Sequence, residues 1–130
     1  MNKTILAGLA TMAILLPSHN VQAHHSFAKF DSNKEVVIRG TVTQFQWTNP
    51  HSWIEIDVLD SKGKVTHWSI EGGSILALSR QGWNRNTIKA GDKLSIIAHP
   101  LRDGTPGGSL MGVTLANGKH LGAEPLPTQK

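Results

Sequence analysis

The chain is 130 residues long, with 13 Lys and Arg against 9 Asp and Glu, 7 His and no Cys. That length holds one ordinary domain, and the missing cysteine removes disulfides and every thiolate-based site or nucleophile. The charge is mildly basic and scattered, without a Lys/Arg run of the kind that marks a nucleic-acid footprint, so nucleic acid is expected not to be a partner.

The N-terminus reads as an export signal. Lys3 supplies a positive start, and "ILAGLATMAILL" (5–16) is an apolar run too short to span a bilayer. Pro17 ends it, and Val21 and Ala23 occupy the small-residue positions of a cleavage site. The expected division is a signal peptide over 1–23, a single domain over 24–122 and a flexible tail over 123–130. Cleavage after Ala23 would make His24 the first residue of a periplasmic or secreted protein. No other stretch approaches the length of a membrane span.

"HHSFAKFDSNKE" (24–35) is a polar lead-in in which Phe27 and Phe30 are apolar anchors. "VVIRGTVTQFQW" (36–47) is rich in β-branched residues and predicts a long strand, with Gly40 marking a bulge or bend. "TNP" (48–50) is a turn signal. In "SWIEIDVLD" (52–60) Ile54, Ile56 and Val58 alternate with Trp53, Glu55 and Asp57, the period of a half-buried strand. A loop at "DSKG" (60–63) leads into a third strand, "KVTHWSIEG" (64–72), with Thr66, Trp68 and Ile70 on one face and His67, Ser69 and Glu71 on the other. "GSILALSRQG" (73–82) predicts the one helix, with Ser74 as N-cap and Gly82 as the stop, after which Trp83 folds back on the core. "KLSIIAH" (93–99) is a fourth strand, "PLRDGTPGG" (100–108) a flexible loop, and "SLMGVTLANG" (109–118) a fifth strand. Five strands in so short a chain leave exposed edges unless they close. The prediction is an all-β, five-stranded OB-like barrel with one short helix between strands 3 and 4. The alternative is an open antiparallel sandwich.

Several spaced motifs resemble a family of small exported bacterial proteins. They are "HHSF…FD" at the new N-terminus, "GTVTQFQWTNPHSWIEIDV" (40–58), "W…EGGS…L…GW" (68–83), "IKAGD" (88–92) and "GVTLANGK" (112–119). The family is the domain of unknown function 6152. The resemblance implies a small exported β-rich domain and no established activity; His24, His25 and His51 fall on its motifs, whereas His67, His99 and His120 do not.

Imidazoles without thiolates suit copper or zinc. An N-terminal histidine can chelate through its α-amine and its ring Nδ1 together, and one further imidazole completes the three-nitrogen arrangement called a histidine brace. The metal candidates are therefore His24 with His51, then His25, with His67 and His99 as further candidates; copper is the preferred ion and zinc the alternative. His51 has a plain structural alternative, a hydrogen bond that finishes the turn at Pro50. Trp47 and Trp53 flank His51, and Trp53, on the polar face of its strand, is a candidate ligand surface. Three functions fit: an exported metal-binding protein, a non-enzymatic OB-type module for a peptide, glycan or periplasmic partner protein, and a copper-dependent oxidase. No phosphate loop, metalloprotease motif or nucleophile elbow is present, so the expectation is a binding protein rather than an enzyme.

Overall fold

The structure, a computed structural model, describes residues 28–124. Its strands are β1 (Val36–Gln46), β2 (Trp53–Leu59), β3 (Val65–Glu71), β4 (Lys93–Pro100), β5 (Gly107–Thr114) and β6 (His120–Gly122), and its helix is α1 (Ile75–Arg80), between β3 and β4. The sheet runs β3-β2-β1-β4-β5-β6, and a further parallel pairing of β3 with β5 closes the first five strands into a barrel. This is the expected OB-type barrel with its helix in the expected place. The sandwich alternative fails because Ser69, Ile70 and Glu71 pair with Gly107, Gly108 and Ser109.

β1 serves both halves of the barrel. Its first part pairs with β4, from Val36↔Ala98 to Thr41↔Lys93, and its second part with β2, from Thr41↔Asp57 to Gln46↔Trp53. Gly40 stands at this handover because nothing larger fits: a Cβ there would lie 2.3 Å from the Asp57 carbonyl oxygen. The register shift itself falls between Val42 and Gln44, not at Gly40.

The alternation read from β2 and β3 fills the barrel. Ile54, Ile56 and Ile70 are fully buried with Val42, Ile96 and Val113, and Trp83 packs back on them as expected. Each such aliphatic side chain contributes about 1.5–3 kcal/mol of transfer free energy. α1 buries Leu78; Ser74 accepts a hydrogen bond from the Ala77 N–H, and Gly82, at φ 88°, ends the helix.

The fifth strand begins earlier and ends earlier than its sequence predicts. Gly107 and Gly108 belong to β5, although their residue type reads as loop. β5 crosses its neighbours closely there: a Cβ on Gly107 would come 2.7 Å from the Leu101 side chain, and one on Gly108 would come 2.7 Å from the His99 carbonyl oxygen. The strand stops at Thr114, the Asn117-Gly118 pair makes the turn its residue types indicate, and the chain returns as β6, a strand additional to the predicted five.

The lead-in docks on the barrel. Phe30 is buried and bridges to Leu101, the Asp31 N–H donates to the Pro100 carbonyl (2.8 Å), and the Arg102 N–H donates to the Lys29 carbonyl (2.9 Å).

Candidate functional site

The turn between β1 and β2 is tied to the end of β3 and the start of α1. The Thr48 hydroxyl donates to the His51 carbonyl (2.9 Å), the Ser52 N–H donates to the Gly73 carbonyl (2.9 Å), and the Gly72 N–H donates to the Ser52 carbonyl (2.7 Å). Asn49 reaches further, accepting the Ile75 N–H at the first turn of α1 (3.0 Å). The Asn49–Pro50 peptide is cis. These bonds fix the backbone of His51, so its ring projects from a determined place.

His51 Nδ1 lies 2.9 Å from Glu71 Oε1 and 3.3 Å from the Gly72 carbonyl oxygen. Both neighbours are acceptors, so Nδ1 carries the hydrogen and donates it. The neutral ring then presents its lone pair on Nε2, which has no hydrogen bond among the described residues. The bond to Gly72 is the turn-finishing contact expected for His51; the carboxylate contact is additional. Glu71 is buried, its side chain 7% exposed, while that of His51 is 29% exposed. The other oxygen of Glu71 faces the Lys29 ammonium at 2.6 Å. One buried carboxylate therefore joins the lead-in to the turn that carries His51. A buried charge persists only when paired in this way.

Glu71 is the residue that sequence reasoning missed. Alternation places it on the outer face with His67 and Ser69, which is correct. Its burial comes from the pairing with Ser109 and from Lys29, contacts that no local pattern encodes.

Trp53 stands beside this group, with the Lys29 ammonium 5.6 Å from its ring centre and 4.9 Å from that of Phe30. The cation thus occupies part of the Trp53 surface. Trp47 is half-buried and packs against the core and Phe45, ring centres 5.9 Å apart. His24 and His25 lie outside the described residues.

His67 belongs to a different patch, on the outer faces of β2 and β3. It pairs across the strands with Asp57 and is clamped by two carboxylates, Nδ1 2.8 Å from Asp57 and Nε2 2.9 Å from Glu55. The hydrogen bond that the ring gives to Asp57, followed by that to Glu55, raises its pKa above the usual 6.5. Glu55 also accepts from the Ser69 hydroxyl at 2.9 Å. His99, at the end of β4, donates from Nδ1 to the Lys34 carbonyl (2.7 Å). His120 is half-buried in β6, against the Thr114 hydroxyl (2.9 Å) and the Ala123 carbonyl (2.8 Å). The structure brings His51 together with Glu71 and Lys29, and His67 with Asp57 and Glu55; it does not bring His51, His67 and His99 into one group. Among the described residues no set of three or more His, Asp or Glu is arranged to hold a metal ion.

A closed five-stranded barrel, a helix between β3 and β4 and a polar cluster where the β1–β2 turn meets the end of β3 define an OB-fold domain. The chain belongs to the family of unknown function DUF6152, whose model matches residues 13–110. No curated protein matches the chain. Among solved structures, the mitochondrial single-stranded DNA binding protein Rim1 of S. cerevisiae has a similar fold, with a TM-score of 0.50 and 10% identity over 64% of this chain and 93% of that one. The comparison corrects the expectation that nucleic acid is excluded. A chain of the same fold is a single-stranded DNA binding protein, and such modules use stacking and dispersed cations, so the absence of a Lys/Arg run excludes nothing. No helix among the described residues is long and apolar enough to cross a membrane.

Proposed function

We propose that this protein is an exported OB-fold binding protein that holds a copper ion between His51 and the N-terminal His24. The observation that carries the reading is the orientation of His51. Its Nδ1–H is committed to the Gly72 carbonyl, with the buried Glu71 carboxylate 2.9 Å away, which leaves Nε2 as the donor atom. A carboxylate behind a histidine is the usual means of fixing tautomer and direction for a metal-bound ring, and it raises the ring's basicity.

The lead-in supports the same reading. Lys29 is held on Glu71, the carboxylate that orients His51. Five residues of chain connect Lys29 back to His24, a reach of at most about 18 Å. Cleavage after Ala23 frees the α-amine, whose ordinary pKa is near 8 and whose proton is readily displaced by a metal. His24 then offers two nitrogens and His51 a third. His25 is the reserve ligand, and zinc the alternative ion.

The test has two parts. Intact mass of the exported chain establishes whether His24 is first. Titration of Cu(II) into that chain, followed by electron paramagnetic resonance, then reports three coordinating nitrogens in the native protein and a weaker, altered site in His51→Ala. An N-terminus other than His24, or unchanged affinity in His51→Ala, would defeat the reading. Tight binding to the native state also raises the melting temperature.

A further inference from the structure

Strands β1, β4, β5 and β6 set four side chains in a row across the outside of the barrel. Arg39 stands opposite Ser95, Ser95 opposite Thr114, and Thr114 opposite His120. Their chain neighbours Ile38, Leu94, Ile96, Val113 and Leu121 are buried in the core. Residues directly opposite one another share a face of the sheet, with Cβ atoms about 5 Å apart. The Thr114 hydroxyl lies 2.9 Å from His120 Nδ1. His120 Nε2 lies 2.8 Å from the Ala123 carbonyl oxygen and 3.8 Å from Glu124 Oε1. Both of these neighbours are acceptors, so Nε2 carries the hydrogen of the neutral ring and Nδ1 accepts. The Thr114 hydroxyl therefore donates to the ring. Gly112 makes room for the arrangement: a Cβ there would come 2.2 Å from the Ala123 carbonyl oxygen and 3.1 Å from Nε2.

The surroundings of this pair exceed what fastening β6 requires. Thr114 is half-buried rather than enclosed, and it borders an open groove of about 530 Å³ together with Arg39, Thr41, Lys93 and Ser95. No Asp or Glu lines the groove, and among the described residues neither Arg39 nor Lys93 is in an ion pair. The carboxylate opposite Thr41, that of Asp57, is bound to His67 instead. Thr114 Oγ1 has turned its hydrogen to the ring and keeps only lone pairs for other contacts. A hydroxyl bonded to an imidazole whose second nitrogen is held by an acceptor is the arrangement that activates an oxygen nucleophile. The Ser95 hydroxyl, opposite Thr114, makes no hydrogen bond among the described residues and can donate to an oxygen that becomes negative.

We infer that Thr114, His120 and Ser95 form a hydrolytic site for small carboxylic esters that carry a second, ionised carboxylate. Arg39 and Lys93 hold that carboxylate. Thr114 Oγ1 attacks the ester carbonyl carbon while its proton passes to His120 Nδ1, and Ser95 donates to the carbonyl oxygen. The bond to the alcohol oxygen breaks, and the proton on Nδ1 goes to the leaving alkoxide. Water then attacks the acyl-threonine and gives its proton to Nδ1, from which Thr114 Oγ1 recovers it on leaving. The net change is ester and water to acid and alcohol, with no oxidation. The inference uses no metal and none of the residues of the His51 site, so it is independent of the copper reading.

The test follows nitrophenolate release by the full chain in EDTA, so that metal plays no part. Three 4-nitrophenyl esters of equal acyl length are compared: the adipate half-ester, the hexanoate and the 6-aminohexanoate. Their acyl chains end in a carboxylate, a methyl group and an ammonium. The expected result is release above the buffer rate, with kcat/KM for the adipate about tenfold above that for the hexanoate, the worth of one hydrogen bond to a charged group. The 6-aminohexanoate is slowest. Quenched and digested samples carry the acyl group on Thr114 by mass spectrometry. Thr114→Val removes adduct and release, whereas Thr114→Ser keeps both. His120→Gln slows release by about 100-fold or more, and Arg39→Gln with Lys93→Gln removes the preference for the adipate. Release no faster than in buffer, an acyl group found only on other residues, or unaltered release in a folded Thr114→Val would overturn the inference. Equal rates for the adipate and the 6-aminohexanoate would overturn it as well. If Thr114→Val does not fold, the position of the acyl group in the native chain decides.

Discussion

His51 Nδ1 and Glu71 Oε1 stand 2.9 Å apart, and this carboxylate, beside the Gly72 carbonyl that accepts the Nδ1 hydrogen bond, keeps the hydrogen of the neutral ring on Nδ1. Glu71→Gln keeps the shape but replaces the charged acceptor with an amide that can present its NH₂ to the ring. Under the copper reading its Cu(II) affinity falls by about 10–100-fold, the usual cost of losing a partner behind a metal-bound histidine. Glu55→Gln, on the separate His67 patch, leaves affinity unchanged. Calorimetric titration of the three proteins measures both effects, and equal affinity in Glu71→Gln would count against the arrangement.

Lys29 is the counter-charge of Glu71 at 2.6 Å, and its side chain is 45% exposed. Lys29→Met removes the cation that faces the buried carboxylate. The expected loss of stability is about 1–3 kcal/mol, since a buried charged acceptor loses its strongest partner. Urea unfolding at pH 7 measures it. The double variant Lys29→Met, Glu71→Gln should recover part of that loss, because the buried negative charge that Lys29 offset is removed with it.

His67 predicts a pH dependence. Its folded pKa is raised above 6.5 by Asp57 and then Glu55. A group whose pKa is higher in the folded chain contributes stability that is fully present below its unfolded value. That contribution is lost as pH rises through the folded value. The stability gap between the native chain and His67→Gln is therefore largest near pH 6, and shrinks from pH 6.5 upward until it is constant above the raised pKa. Urea midpoints of both chains from pH 6 to pH 9 trace it; a gap that grows with pH would contradict the assignment. The ring is 55% exposed, so the effect is small.

Gly40 and Gly63 form a contrasting pair. Gly40→Ala would drive a methyl group to 2.3 Å from the Asp57 carbonyl oxygen, next to Thr41, where β1 changes partners. The cost expected is about 3 kcal/mol, or a fall in melting temperature of more than 10 °C at roughly 4–8 °C per kcal/mol. Gly63, at φ 82°, has nothing within 4 Å of its added Cβ. Gly63→Ala therefore introduces only backbone strain, which costs about 1 kcal/mol. Differential scanning calorimetry ranks the two.

Much of the barrel is legible in the sequence because burial on one face writes a period of two. Ile54, Ile56 and Ile70 are inward where alternation places them, and Ser74 and Gly82 delimit α1. Legibility stops where a residue's surroundings come from distant chain. Gly107 and Gly108 read as loop, since nothing near them in sequence reveals that β3 and β4 pass too close for a Cβ. Gly40 likewise signals an irregularity, but the shift is absorbed three residues later, at Thr43. In the candidate site, His51 is conspicuous by its turn and its ring. Glu71 is not, because a strand glutamate on a polar face is ordinarily solvated; its burial requires Lys29 and Ser109, each about forty positions away.

The grip of Lys29 and His51 on opposite oxygens of Glu71 has a practical corollary for purification. Anything fused upstream of Lys29 is tethered next to His51. A polyhistidine tag at that end would bring its own imidazoles to the neighbourhood, mimicking or masking a native metal complex. Placed instead after Lys130, such a tag stays at the other end of the sequence; under the copper reading, a protease that leaves His24 first serves the same purpose.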